Sequence, residues 1–197
     1  MNPTQATILG RYSKQGLWSL FLTCAFPFHL WTLILVFRDV SWVAERTNAW
    51  DAVGVGSYGV LFALVESLLA FLVVVLLGLL TPKQWDDSRR IGFLSLLFLI
   101  TAVWGMIGQL LFLWNIQLPP QAMQFLARSE HPLRWLYGGS LAIVLSTMFP
   151  LVYWFFRSNK SSVLIQEFTD RLSVLTIFYL FFDLAGLVIV IIRNVSQ

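Results

Sequence analysis

The stretch YGVLFALVESLLAFLVVVLLGLL, residues 58–80, decides the fold class. It holds one charge, Glu66, and its apolar residues follow one another without the alternation of a barrel strand. A helix needs about 20 such residues to cross a hydrocarbon core roughly 30 Å thick, since each adds about 1.5 Å of rise. Four further runs reach that length: Leu17–Phe37, Ile91–Trp114, Leu136–Phe156 and Leu172–Ile192. Charge or proline closes them, as Arg38-Asp39 closes the first, Thr81-Pro82-Lys83 the second stretch (58–80) and Arg157 the fourth. The chain therefore reads as an all-α integral membrane protein, a bundle of five transmembrane helices forming one domain over residues 1–197.

Composition agrees. The chain is 58% hydrophobic and 12% charged with a mean hydropathy of +0.76, whereas soluble domains average about 25% charged. A net charge of +3 is too small for a nucleic-acid surface and reads as topological bias. Cys24 is the sole cysteine, which rules out an intrachain disulfide and a dithiol relay. The first apolar run exceeds the roughly 7–15 residues of a signal h-region and follows a polar lead through Gln15, so it reads as an uncleaved first span.

Basic residues divide unevenly between the two faces. Arg11, Lys14, Lys83, Arg89, Arg90, Arg157, Lys160 and Arg171 fall on one side, against Arg38, Arg46, Arg128, Arg134 and Arg193 on the other. Positive residues favour the cytoplasm, which places the N-terminus inside and the C-terminus outside. Both long loops then lie outside. Asp39–Trp50 carries Val40, Val43, Thr47 and Trp50 near one helical face, and Pro119-Pro120 opens a second short helix that Pro132 ends. With Trp42, Trp50, Trp114 and Trp135 at their edges, both are expected as interfacial helices or as ordered loops covering the bundle. Asp86-Asp87 and Arg89-Arg90 read as a solvated charge cluster on the inner face.

Ionisable groups inside a span are costly and rare, and they point to function. At 100° per residue Ala63, Glu66, Ser67 and Ala70 share one face of the second span, and Thr176, Tyr179, Asp183 and Gly186 one stripe of the fifth. The small residues on both faces suit packing against protein. The first span adds Ala25, His29 and Thr32 beside Pro27, and the third adds Thr101, Gly105, Gly108 and Gln109. By helical rise, Asp183 and His29 lie within about 3 Å of the midplane, Glu66 about 5 Å outward and Gln109 about 10 Å outward. These groups are expected to converge on one cavity under the outer loops.

Three readings of the two acids stay open. They are hydrogen-bonded groups that set helix packing, or they bind or relay an ion, a proton or a lipid headgroup, or one is a general base acting on a lipid-linked substrate. A lone His in a span is most often structural, but paired with an acid it becomes pH-sensitive. No Lys lies within a span, only one His does, and no HExxH, GxSxG or Walker A motif is present. No cofactor or metal site is therefore expected. The expected function is non-enzymatic: a multi-pass protein of the cell membrane, with the look of a bacterial inner-membrane protein. Its outward-opening polar site, Glu66, Asp183, His29, Gln109 and Tyr179, binds or conducts a small cation, a proton or a lipid headgroup. The alternative is an accessory or assembly subunit of a larger membrane complex. The expected partners are the lipid bilayer, that ion or headgroup, and further copies or subunits, with no nucleic acid.

Overall fold

The computed structural model describes residues 12–195, with backbone alone for 159–162. Arg11 and the side chain of Lys160, both used above to assign the inner face, lie outside the described residues. Six α-helices follow in order: α1 Lys14–Arg46, α2 Ala49–Leu77, α3 Asp87–Leu113, α4 Pro120–Arg128, α5 Pro132–Arg157 and α6 Asn159–Val195. A 3₁₀ turn, Gly78–Leu80, extends α2, and no strand occurs among the described residues. Five of the helices, all but α4, are long and apolar enough to cross a membrane. Each coincides with one of the five expected spans, the second finishing in the 3₁₀ turn after α2 and the third helix ending one residue before Trp114.

Local sequence signals set the ends. Ser13 caps α1 by accepting a hydrogen bond from the Gly16 amide at 2.9 Å, and Asn48 caps α2 by accepting from Asp51 at 2.9 Å. Asn115, past the end of α3, takes φ 48°, a left-handed conformation that Asn tolerates better than most residues. Pro120 occupies the first turn of α4 and Pro132 that of α5, where a missing N–H costs nothing.

Two segments differ from the expectation. Asp39–Trp50 does not form a separate surface helix, because α1 runs on through Arg46 and α2 begins at Ala49. Its helical periodicity belongs to the ends of two long helices, which nothing but Thr47 and Asn48 interrupts. Similarly, α6 starts at Asn159, well before the apolar run at Leu172, since no Gly or Pro stands between to stop it. At about 1.5 Å per residue, the 33 residues of α1 and 37 of α6 reach well beyond a hydrocarbon core of about 30 Å.

α1 is the hub, packed against α2, α3 and α6. An apolar core of Tyr12, Leu20, Cys24, Val74, Ile91 and Leu94 fills the end of the bundle where α1 starts. α5 sits at the edge. Its one fully buried side chain, Phe155, meets Phe93 with ring centroids 5.6 Å apart, and Trp104 of α3 donates to Thr147 Oγ1 at 2.9 Å. Large exposed apolar side chains, among them Phe62, Leu69, Phe112, Phe149 and Phe181, cover the sides of the bundle. Water would penalise such a surface and acyl chains would not.

Candidate functional site

The site is built where α1, α2 and α6 meet. On α6, Thr176 donates to the Leu22 carbonyl of α1 at 3.1 Å and to Leu172 of its own helix at 2.9 Å. Three turns further on, Gly186 lies against α2, where a Cβ would fall 3.2 Å from the Ser57 carbonyl oxygen. Both contacts draw α6 inward, and Asp183 lies between them on the same stripe. Asp183 is 5% exposed and His29, opposite it on α1, is 1% exposed.

The His29 ring is held at both nitrogens. Nδ1 lies 2.8 Å from the Ala25 carbonyl, one turn back on α1. A carbonyl only accepts, so Nδ1 carries a proton. Nε2 lies 3.0 Å from each carboxyl oxygen of Asp183. Without a proton on either partner, two sets of lone pairs would face each other here in a medium with little screening. The observed approach therefore contains one proton, carried on Nε2 as an imidazolium–carboxylate pair or on Asp183 as a neutral acid donating to Nε2. Tyr179 stacks beside the pair, its ring nearly parallel to the imidazole with centroids 6.0 Å apart, and Phe26 stacks on Tyr179 in turn at 6.1 Å. Aromatic faces shield the pair from the side. Three of the five expected residues, His29, Tyr179 and Asp183, are thus brought together.

The other two lie elsewhere. Glu66 and Gln109 are exposed and line a groove of 390 Å³ between α1 and α3, together with Phe28, Trp31, Phe98 and Thr101. Glu66 also borders a second groove of 420 Å³ between α1 and α2 that runs to Asp39. Neither groove includes His29 or Asp183, so the expected convergence into one outward-opening cavity is corrected to two separate environments. The reason is angular. The buried stripe of α2 runs through Val60, Ala63, Ser67 and Val74. At 100° per residue Glu66 stands about 90° from its centre, at the edge of the packed face.

A second departure concerns the charges expected to form a solvated cluster on the inner face. Arg90 is not solvated: it is 2% exposed, its Nε donates to Thr81 Oγ1 at 3.0 Å and its Nη2 to the Trp85 carbonyl at 2.9 Å. Asp87 accepts from the Ser13 amide at 3.1 Å and from the Ser13 hydroxyl, pinning the start of α1 to the start of α3. At the opposite end, Arg193 of α6 donates to the Trp50 carbonyl at 2.6 Å and to Asp51 at 2.8 Å. Gly54 makes that approach possible, since a Cβ there would fall 2.6 Å from the guanidinium carbon. Sequence reading gave no role to Gly54 or to Trp31, which borders both Glu66 grooves. The four-residue step from Pro27 to Trp31 on α1 was the available signal. No cluster of three His, Cys, Asp or Glu side chains suited to a metal ion occurs among the described residues.

Comparison with known proteins yields no relative: no family model matches the chain, and no curated protein or solved structure is significantly similar to it.

Proposed function

We propose that this chain is a multi-pass protein of the cell membrane, its N-terminus cytoplasmic, whose buried pair His29–Asp183 binds and relays a proton. The observation that carries this reading is the approach of Nε2 to both Asp183 oxygens at 3.0 Å while Nδ1 is committed to Ala25. One exchangeable proton satisfies that geometry, and its loss leaves two acceptors face to face. Two ligating side chains are too few to replace the six or more oxygens around a Ca²⁺ or the ordered shell of Mg²⁺, which favours the proton among the cations. Both side chains are buried, which disfavours a lipid headgroup as the ligand of the pair.

The test is proton flux into proteoliposomes with an internal pH dye, for the unaltered chain, Asp183→Asn and His29→Gln. The reading expects flux that both substitutions abolish. Flux equal to that of empty liposomes, or flux that neither substitution lowers, would overturn it.

A second reading, an accessory subunit of a larger membrane complex, is favoured by a different observation. Between α3, α4 and α5 lies an apolar groove of 630 Å³, and Cβ atoms on Gly108 and Gly139, which line it, would meet no atom within 4 Å. Small residues of this kind let helices approach closely. Purification in mild detergent separates the two: a stoichiometric partner favours the subunit, a homo-oligomer the relay. An enzyme using Glu66 and Asp183 as a pair gains no support, because the two line no common groove.

A further inference from the structure

We propose that the groove between α1 and α3 is a binding site for an organic cation, a substituted ammonium group bearing an apolar body, with Glu66 as its counter-ion. The inference goes beyond the proton relay and does not rest on it, since neither His29 nor Asp183 lines the groove.

Glu66 stands inside an apolar span, yet it forms no hydrogen bond and no ion pair with any described residue. An acid in that position is compensated by a proton or by a cation from outside the protein. The walls of the groove select among cations. Trp31, Phe28 and Phe98 line it, the last two in contact with ring centroids 6.3 Å apart. Aromatic faces attract ammonium groups, tryptophan most strongly, and the attraction grows when water is excluded. Oxygen donors are few beside Glu66: the Gln109 amide and the Thr101 hydroxyl, whose own proton goes to the Leu97 carbonyl at 2.8 Å. Such a set under-coordinates Mg²⁺ or Ca²⁺ but suits a head that needs one counter-charge, one or two acceptors and apolar contact. The volume of 390 Å³ lies within the roughly 300–1,000 Å³ of small-molecule sites. Glu66 repels anions, which leaves an amphiphilic cation as the matching chemistry.

The test is equilibrium binding of phenyltrimethylammonium to the full chain in lipid nanodiscs, with empty nanodiscs subtracted. Saturable one-to-one binding is expected, weakened at least about tenfold by Glu66→Gln and by Trp31→Leu, the order of a desolvated cation–π contact. Asp183→Asn leaves it unchanged. Gly105→Leu grows into open space on the α3 wall of the groove, so the fold survives it, and it abolishes binding. The proposal is overturned if the unaltered chain shows no saturable binding, or if Glu66→Gln binds equally well. Equal competition by tert-butylbenzene, the uncharged isostere, overturns it too. The proton relay stands or falls separately, on flux through Asp183.

Discussion

At the residue scale, burial separates the two intramembrane acids. Asp183 has a partner on α1 at 3.0 Å, so truncating it strands a buried imidazole nitrogen. An unsatisfied buried polar group costs about 1–3 kcal/mol. Asp183→Ala is therefore expected to lower stability by about 2 kcal/mol in thermal unfolding in detergent. Asp183→Asn, which keeps a hydrogen bond to Nε2, is expected to cost under about 1 kcal/mol, in line with the modest strength of interhelical polar contacts in membranes. Glu66→Gln touches no internal partner and is expected to stay within about 0.5 kcal/mol. Much of this was legible in the sequence. The stripe Thr176–Tyr179–Asp183–Gly186 and the shared depth of His29 and Asp183 follow from helical geometry alone, and the structure joins them. Glu66 was misplaced because a wheel gives direction but not the width of the packed face, which a neighbouring helix determines. Arg90 was misread for a related reason. Its partners, the Thr81 hydroxyl and the Trp85 carbonyl, come from a turn whose shape no periodicity records.

At the scale of elements, glycine marks the difference between packed and unpacked helices. A Cβ on Gly186 would press on the Ser57 carbonyl of α2, and one on Gly54 would collide with the Arg193 guanidinium. Gly186→Val and Gly54→Leu are expected to destabilise by about 1–3 kcal/mol, the usual range for overpacking, with unfolding midpoints as the readout. Gly54→Leu should also make a following Arg193→Met nearly silent, because the first change already breaks the contacts to Asp51 and Trp50. Gly139→Leu on α5 meets open space and is expected to change stability by less than about 0.5 kcal/mol. The five long apolar helices were read correctly because their apolar runs are long and uninterrupted. Helix ends were not: the residues from Arg38 to Arg46 are polar enough to leave the bilayer yet carry no helix breaker, so α1 simply continues.

At the scale of the whole molecule, the arrangement has one firm body and one loose edge. α1, α2 and α6 interlock around His29–Asp183 and the start of α3 packs on the start of α1, whereas α5 is attached at the edge through Phe155 and the Trp104–Thr147 bond. The proposed orientation is tested in cells with single-cysteine reporters in a Cys24→Ala background. Arg128→Cys is expected to react with an impermeant maleimide from outside and Lys83→Cys not to react; the opposite pattern would invert the bundle. The proton shared by His29 and Asp183 links α1 to α6, and nitrogen NMR of the imidazoles reads it directly. With His131→Gln removing the only other histidine, the account predicts one imidazole whose Nδ1 stays protonated through its bond to Ala25 and whose Nε2 signal alone shifts in Asp183→Leu. An Nδ1 that exchanges like that of a solvated histidine, or a spectrum indifferent to Asp183→Leu, would contradict it.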